Sequence, residues 1–242
     1  MSRKKEAMVD SLPYKKANWW YRFVKRSFDI WVSLIAILIL SPLYLLFIII
    51  NAIYTRGHPI FFDKRIGKDH KHINVYKYRS MYYDAETNVD KYLSKAQKKQ
   101  WKKERKVEND PRITPFGRIL RKTSIDELPQ LFCIWIGTMT IVGPRPALWN
   151  QDDLVAERDK YGANDIKPGL TGWAQIHGRD EIEIPLKAKY DGEYTAKLKQ
   201  GGFVAFAFDM KCFFKSIFSV LKRDGVVEGG TGAMSKEKVD AA

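Results

Sequence analysis

The stretch WVSLIAILILSPLYLLFIII, Trp31–Ile50, sets a Ser-Pro pair, Ser41 and Pro42, in the middle of an apolar run. From Ile30 to Thr55 there is no charged side chain, 26 residues in all, and about 20 apolar residues suffice for a helix to cross a bilayer. The segment is expected in lipid. Proline removes a backbone donor and its ring presses on the carbonyl four residues back, so the helix is expected to bend or break near residues 39–42. The Ser41 hydroxyl is placed to bond a carbonyl that Pro42 leaves without its donor.

Both flanks of the run are basic: Arg22, Lys25 and Arg26 before it, Arg56, Lys64, Arg65 and Lys68 after it. Lys and Arg are retained on the cytoplasmic side, so a straight span would strand one cluster on the wrong face. A helix that enters, breaks at Ser41-Pro42 and returns satisfies both. A kinked spanning helix remains open on the residues alone. The uncharged stretch is too long for an ordinary signal h-region and no small-x-small cleavage site follows it, so it is expected to be permanent.

Four segments are expected: a basic and aromatic interfacial segment over 1–29, the membrane helix over 30–55, a catalytic domain over 56–225 and a flexible tail over 226–242. The 242 residues carry a formal charge of +14, which implies an anionic partner: a lipid surface, a phosphorylated substrate or nucleic acid. Cys133 and Cys212 stand far apart in apolar surroundings, which gives no disulfide framework and suits a reducing compartment. Trp19–Ile30 interleaves aromatics with Arg and Lys, as at a headgroup layer. Two β-prone stretches, 60–66 and 73–81, flank GKDHKH and predict a hairpin, with His70 and His72 solvated in its turn. A basic helix is expected over 91–106. Near the C-terminus Phe206, Met210, Phe213, Ile217 and Val220 predict an apolar helix face, with Lys211, Lys215 and Lys222 opposite; it fits either a core helix or one lying in the membrane plane. The fold class is α+β, mostly helical.

Chemistry is expected in RKTSIDELPQL, Arg121–Leu131. Ser124-x-x-Glu127 fits a capping box, which would put Asp126 and Glu127 in the first turn of a helix, while Pro129 argues for an irregular turn there. Arg112, Arg118, Arg121 and Lys122 stand upstream, and VGPRP follows with Arg145 between two prolines. Two carboxylates among guanidinium groups suit metal-assisted chemistry at a phosphate. KPGLTGWAQIHGR, 167–179, is glycine-rich and fits a phosphate loop or a structural turn around Trp173.

KYRSM (77–81), NDPRITPFGRILRKTSIDELPQL (109–131), VGPRP, KPGLTGWAQIHGR and LKRDGVVEGGTG together resemble the bacterial sugar transferase family of monotopic phosphoglycosyl transferases, in order, over about residues 25–232. The resemblance implies a re-entrant helix broken at Ser41-Pro42, both ends cytoplasmic, at a bacterial inner membrane. It implies transfer of a sugar phosphate from a UDP-sugar to polyprenyl (undecaprenyl) phosphate, with Mg²⁺ and release of UMP, as the first membrane step of a surface glycan pathway. By the family pattern Asp126 is the nucleophile through a covalent aspartyl-phosphosugar, Glu127 its partner, both available to the metal, and Arg121, Arg145, Lys167 and Arg179 contact phosphate. Three positions depart from that pattern: Lys167 where many relatives have Arg, His177 where Asn is usual, and GTMT (137–140) where GDMS is common. Anionic membrane lipids and a homo-oligomer are further expected partners, and nucleic acid is not. The competing classes are a non-catalytic polyanion binder, motivated by charge, and a scaffold without turnover.

Overall fold

A computed structural model describes residues 19–104, 107, 109–178 and 182–222. Arg179, the tail over 226–242 and the first eighteen residues lie outside them. The first helix, α1 (Trp19–Tyr54), is assigned unbroken through Pro42. Pro42 cannot donate to the Leu38 carbonyl, and the Ser41 hydroxyl takes that carbonyl at 2.8 Å. Helical pairing thus continues through the proline, where a bend or a break was expected.

Polar residues on α1 tie both of its halves to one domain. Asp29 is buried and accepts from Thr140 Oγ1 (2.7 Å) and the Ile141 amide (3.0 Å). Beyond the proline, Tyr44 donates to the Leu128 carbonyl, and the Asn51 amide donates to the carbonyls of Pro59 and Arg79 at 2.8 and 2.9 Å. Between these anchors large side chains face outward, among them Leu38, Ile39, Leu45 and Ile49. Among the described residues α1 is the one helix long and apolar enough to cross a membrane, and 11% of its most apolar 18-residue window is buried.

The hairpin forms as expected: β1 (Ile60–Ile66) pairs antiparallel with β2 (His72–Tyr78), Ile60 opposite Tyr78 and Ile66 opposite His72. His70, in the turn, is 3.1 Å through Nε2 from Asp159 Oδ1. The basic segment is two helices, α2 (Val89–Tyr92) and α3 (Lys95–Glu104), not one. Leu93 turns into the core and Ser94 starts the second helix through a reciprocal box: its amide donates to Gln97 Oε1 at 3.0 Å, and its hydroxyl accepts from the Gln97 amide at 3.3 Å.

There follow α4 (Pro115–Lys122), α5 (Gln130–Ile136), β3 (Thr140–Val142), β4 (Ala147–Leu148), α6 (Asp152–Asp159), β5 (Gly169–Thr171), α7 (Ile184–Gln200) and α8 (Gly202–Lys222). β4 adds to the hairpin in the order β2-β1-β4, and β3 pairs parallel with β5. The main core gathers Val75, Ile134, Met139, Val142 and Tyr194 around the first half of α1. The expected face of α8 is corrected. Its buried stripe is Ala205, Asp209, Cys212 and Ser216, one position off the aromatic one, while Phe214, Ile217 and Phe218 are exposed. Small and polar residues lie inward because Asp209 is needed there: it accepts from Tyr21 (2.7 Å), Tyr194 (2.6 Å) and Lys25 (2.8 Å).

Candidate functional site

The SIDEL stretch is not a helix start. Ser124 is left-handed (φ 56°, ψ 17°) and makes no side-chain cap, and Ile125–Glu127 form a single 3₁₀ turn. The capping-box expectation fails because an N-cap residue needs extended backbone, and Ser124, directly after the end of α4 at Thr123, is left-handed instead. The irregular turn that Pro129 argued for is what forms.

Around this turn three elements deliver charge. Thr114 caps α4 by accepting from the Gly117 amide at 2.8 Å, and α4 lies so close to Ser80 that a Cβ on Gly117 would stand 2.0 Å from the Ser80 carbonyl oxygen. That closeness lets Arg121 Nε donate to Ser80 Oγ at 2.8 Å. The hairpin supplies Lys77, whose ammonium is 3.1 Å from Asp63 Oδ2; Arg65 holds the same oxygen at 2.6 and 2.8 Å and reaches the Pro146 carbonyl at 3.1 Å. Burial would raise the Asp63 carboxyl, but Lys77 and Arg65 overcome it and keep its pKa below the ordinary value. Lys77 itself is pulled down, by burial first and then by Arg65, against Glu127 and Asp63.

Arg145 comes from the β3–β4 loop and grips Glu127 with both ends of its guanidinium, Nη1 to Oε2 at 3.2 Å and Nη2 to Oε1. The glycine-rich block builds the seat for that loop. The Gly143 amide donates to Thr171 O and the Gly169 amide to Pro144 O, both at 2.8 Å. A Cβ on Gly143 would stand 2.6 Å from the Lys167 carbonyl, and one on Gly169 would stand 2.2 Å from the Gly143 nitrogen. Trp173 is half-exposed, its indole N–H on Glu193 at 2.9 Å.

Asp126 sits partly buried among these groups. Burial and then the neighbouring Glu127 push its pKa up to about 6, against the pull of Lys77, Arg121 and Arg145. The helix-terminus field expected to keep it strongly ionised is absent; its charge depends instead on three cations. The structure therefore brings together Asp126, Glu127, Arg121 and Arg145 of the expected set. Lys167 it places elsewhere, its side chain lining a cleft with Arg22, Arg26 and Lys68. Arg112 is also diverted, into a buried pair with Asp110 that stacks on Trp101. Sequence reasoning missed Lys77, Asp63 and Ser80. The signal was Lys77 itself, a lysine between two tyrosines in a strand, at a position a solvated residue would not need.

Asp126 and Glu127 supply two carboxylates for a cation, and among the described residues no group of three or more His, Cys, Asp or Glu side chains is placed to hold a metal. Such a donor pair fits Mg²⁺, which keeps much of its water and leans on substrate phosphates.

An acidic pair beside Lys77, Arg121 and Arg145 is thus packed, through Leu128 and Tyr44, against a long apolar helix. A family model described as bacterial sugar transferase matches residues 20–223, and the chain belongs to that family. It is 34% identical over 206 residues to the undecaprenyl-phosphate galactose phosphotransferase of Salmonella typhimurium, covering 84% of this chain and 42% of that protein. With the UDP-glucose:undecaprenyl-phosphate glucose-1-phosphate transferase of Escherichia coli it shares 33% over 210 residues, 81% of this chain and 40% of that one. With the exopolysaccharide production protein PSS of Rhizobium leguminosarum it shares 36% over 208 residues, 83% and 96% of the two chains. The chain spans less than half the length of several of the curated relatives it matches.

Proposed function

We propose that the protein transfers a sugar-1-phosphate from a UDP-sugar to undecaprenyl phosphate, as an early membrane step in assembling a surface polysaccharide. The observation that carries this reading is the acidic pair Asp126 and Glu127 set among Lys77, Arg121 and Arg145, with Arg145 gripping Glu127, where burial and Glu127 push the Asp126 carboxyl up to about 6. At neutral pH such a carboxyl is mostly ionised yet poorly solvated, the state of an activated oxygen nucleophile. An Asp126 oxygen attacks the phosphorus that bears the sugar, the bridging P–O bond breaks, and UMP leaves with the bond electrons. A phosphate oxygen of undecaprenyl phosphate then attacks the same phosphorus and returns the Asp126 carboxylate. Lys77, Arg121 and Arg145 face the negative charge that gathers at phosphorus in both steps. Glu127 fixes the plane of Arg145, whose remaining N–H groups are the ones to meet phosphate oxygens. Mg²⁺, held by Asp126 and Glu127, would supply further neutralisation of the diphosphate.

The re-entrant reading of α1 belongs to the same proposal. Residues on both sides of Pro42 bond to one domain, both flanks are basic, and the apolar faces of α1 and α8 are outward. Their common side would be the cytoplasmic face of the inner membrane, where nucleotide sugars are found. The test withholds lipid: UDP-sugar labelled in the sugar should leave label on Asp126 and release one equivalent of UMP, and Asp126→Asn should do neither. Label reaching the lipid through Asp126→Asn, or a sequential kinetic pattern with no adduct, would overturn the mechanism.

A further inference from the structure

A cleft of about 490 Å³ opens beside the start of α1, away from Asp126. Its volume falls within the range of about 300–1,000 Å³ usual for small-ligand sites. None of Lys77, Arg121 and Arg145, the cations acting on Asp126, lines it. Two of its basic residues are spent on the fold: Lys25 bonds Asp209 and the Val142 carbonyl, and Arg26 bonds the carbonyls of Ile134 and Trp135 at 2.7 and 2.6 Å. Three remain, Arg22, Lys68 and Lys167, all of them exposed. Among the described residues Arg22 and Lys167 form no ion pair, and Lys68 has one exposed contact, to Asp69 at 3.6 Å. Two carboxylates also line the cleft, Asp165 and Asp29, of which Asp29 already accepts from Thr140 and Ile141. Burial and then Arg26 push the Lys167 ammonium below its ordinary pKa, against Asp29, with Lys68 and Arg22 adding to the effect; the lining carries Arg22, Lys25, Arg26, Lys68 and Lys167 against Asp29 and Asp165, so it is net positive.

The rim is apolar and aromatic. Trp19 is 76% exposed and stacks on Phe23, ring centroids 5.7 Å apart, at the end of the helix that leads into the lipid-facing run. Aromatic rings of this kind settle at the headgroup level, which puts the cleft mouth at that depth. We propose that this cleft binds the headgroup phosphate of an anionic phospholipid, with Arg22, Lys68 and Lys167 on the phosphate and the acyl chains running past Trp19 and Phe23 along α1. A soluble anion has no use for the apolar rim. A zwitterionic lipid brings an ammonium group that the three cations oppose. The site fixes the depth and angle of α1, and so of the domain that carries Asp126, independently of the transfer reaction.

The test is native mass spectrometry of the full chain released from nanodiscs containing equal amounts of phosphatidylglycerol and phosphatidylcholine. One phosphatidylglycerol should be retained in preference to phosphatidylcholine. Each cation removed near a lipid phosphate should weaken binding about fivefold, so Arg22→Gln with Lys68→Gln should lower retention by about 25-fold, and Lys167→Gln alone by about fivefold. Equal retention of the two lipids by the unaltered protein would overturn the proposal whatever the variants do. So would undiminished retention in folded variants, or displacement of the lipid by inorganic phosphate, which would make the cleft a free-phosphate site.

Discussion

Replacing Asp126 by Asn should stabilise the fold, by an amount that grows with pH. The folded-state pKa of Asp126 is raised from 3.8 to about 6, so the folded chain holds this proton more tightly than the unfolded chain does. The stability it contributes is present below about pH 4 and is lost as pH rises through about 6. Each tenfold gain in proton affinity on folding corresponds to about 1.4 kcal/mol. With some discount for the partly exposed carboxylate, the penalty carried by the native protein is small at pH 4 and about 2–3 kcal/mol at pH 8. Asparagine matches the protonated acid in shape and does not titrate, so the variant escapes that penalty. At about 2–4 °C per kcal/mol for a chain of this size, the variant should melt about 4–12 °C above the native protein at pH 8 and within about 2 °C of it at pH 4. Thermal unfolding in detergent, followed by tryptophan fluorescence across that pH range, measures the difference. A gap independent of pH, or a variant less stable at pH 8, would refute the account of Asp126 as a carboxylate held at a cost among buried groups.

Three further outcomes follow from the geometry. Gly143→Ala puts a methyl group 2.6 Å from the Lys167 carbonyl and shifts the loop bearing Arg145; adduct formation should fall by about 100-fold with UMP release falling in step, and wild-type rates would show that the loop seat does not position Arg145. Asp209→Asn leaves Lys25 without its carboxylate in a largely buried site and should cost about 3–5 kcal/mol, read as a loss of melting temperature, whereas the double change Lys25→Met with Asp209→Leu should cost less than the single one. Cysteines placed singly at residues 5 and 238 should both be shielded from an impermeant thiol reagent in intact cells, with the buried Cys133 and Cys212 silent; labelling of one alone would mean a spanning α1, and unchanged topology in Ser41→Ala with Pro42→Ala would remove the Ser-Pro pair as its determinant.

The apolar helix, the hairpin and the acidic pair were legible because each rests on local rules. An uncharged run of 26 residues has no aqueous fold open to it, β-prone stretches flanking a polar turn pair with each other, and the Ser41 bond to Leu38 follows from proline chemistry within one helical turn. Even the irregular turn at Asp126 was signalled by Pro129. What failed were readings that needed partners distant in sequence. A capping box forms at Ser94 and not at Ser124, although both fit the pattern, because Ser124 is held in left-handed backbone that an N-cap cannot use. The buried face of α8 slipped by one position because Tyr21, Lys25 and Tyr194 draw Asp209 inward from elements far away in the chain. Lys167 left the acidic pair for the cleft at α1, while Lys77 joined it from the hairpin. Sequence by itself determined the long apolar helix and the acidic pair on which the proposed chemistry rests. Tertiary structure decided which cations surround Asp126 and thereby its pKa, because charge, burial and distance act between groups that the backbone brings together only after it has folded.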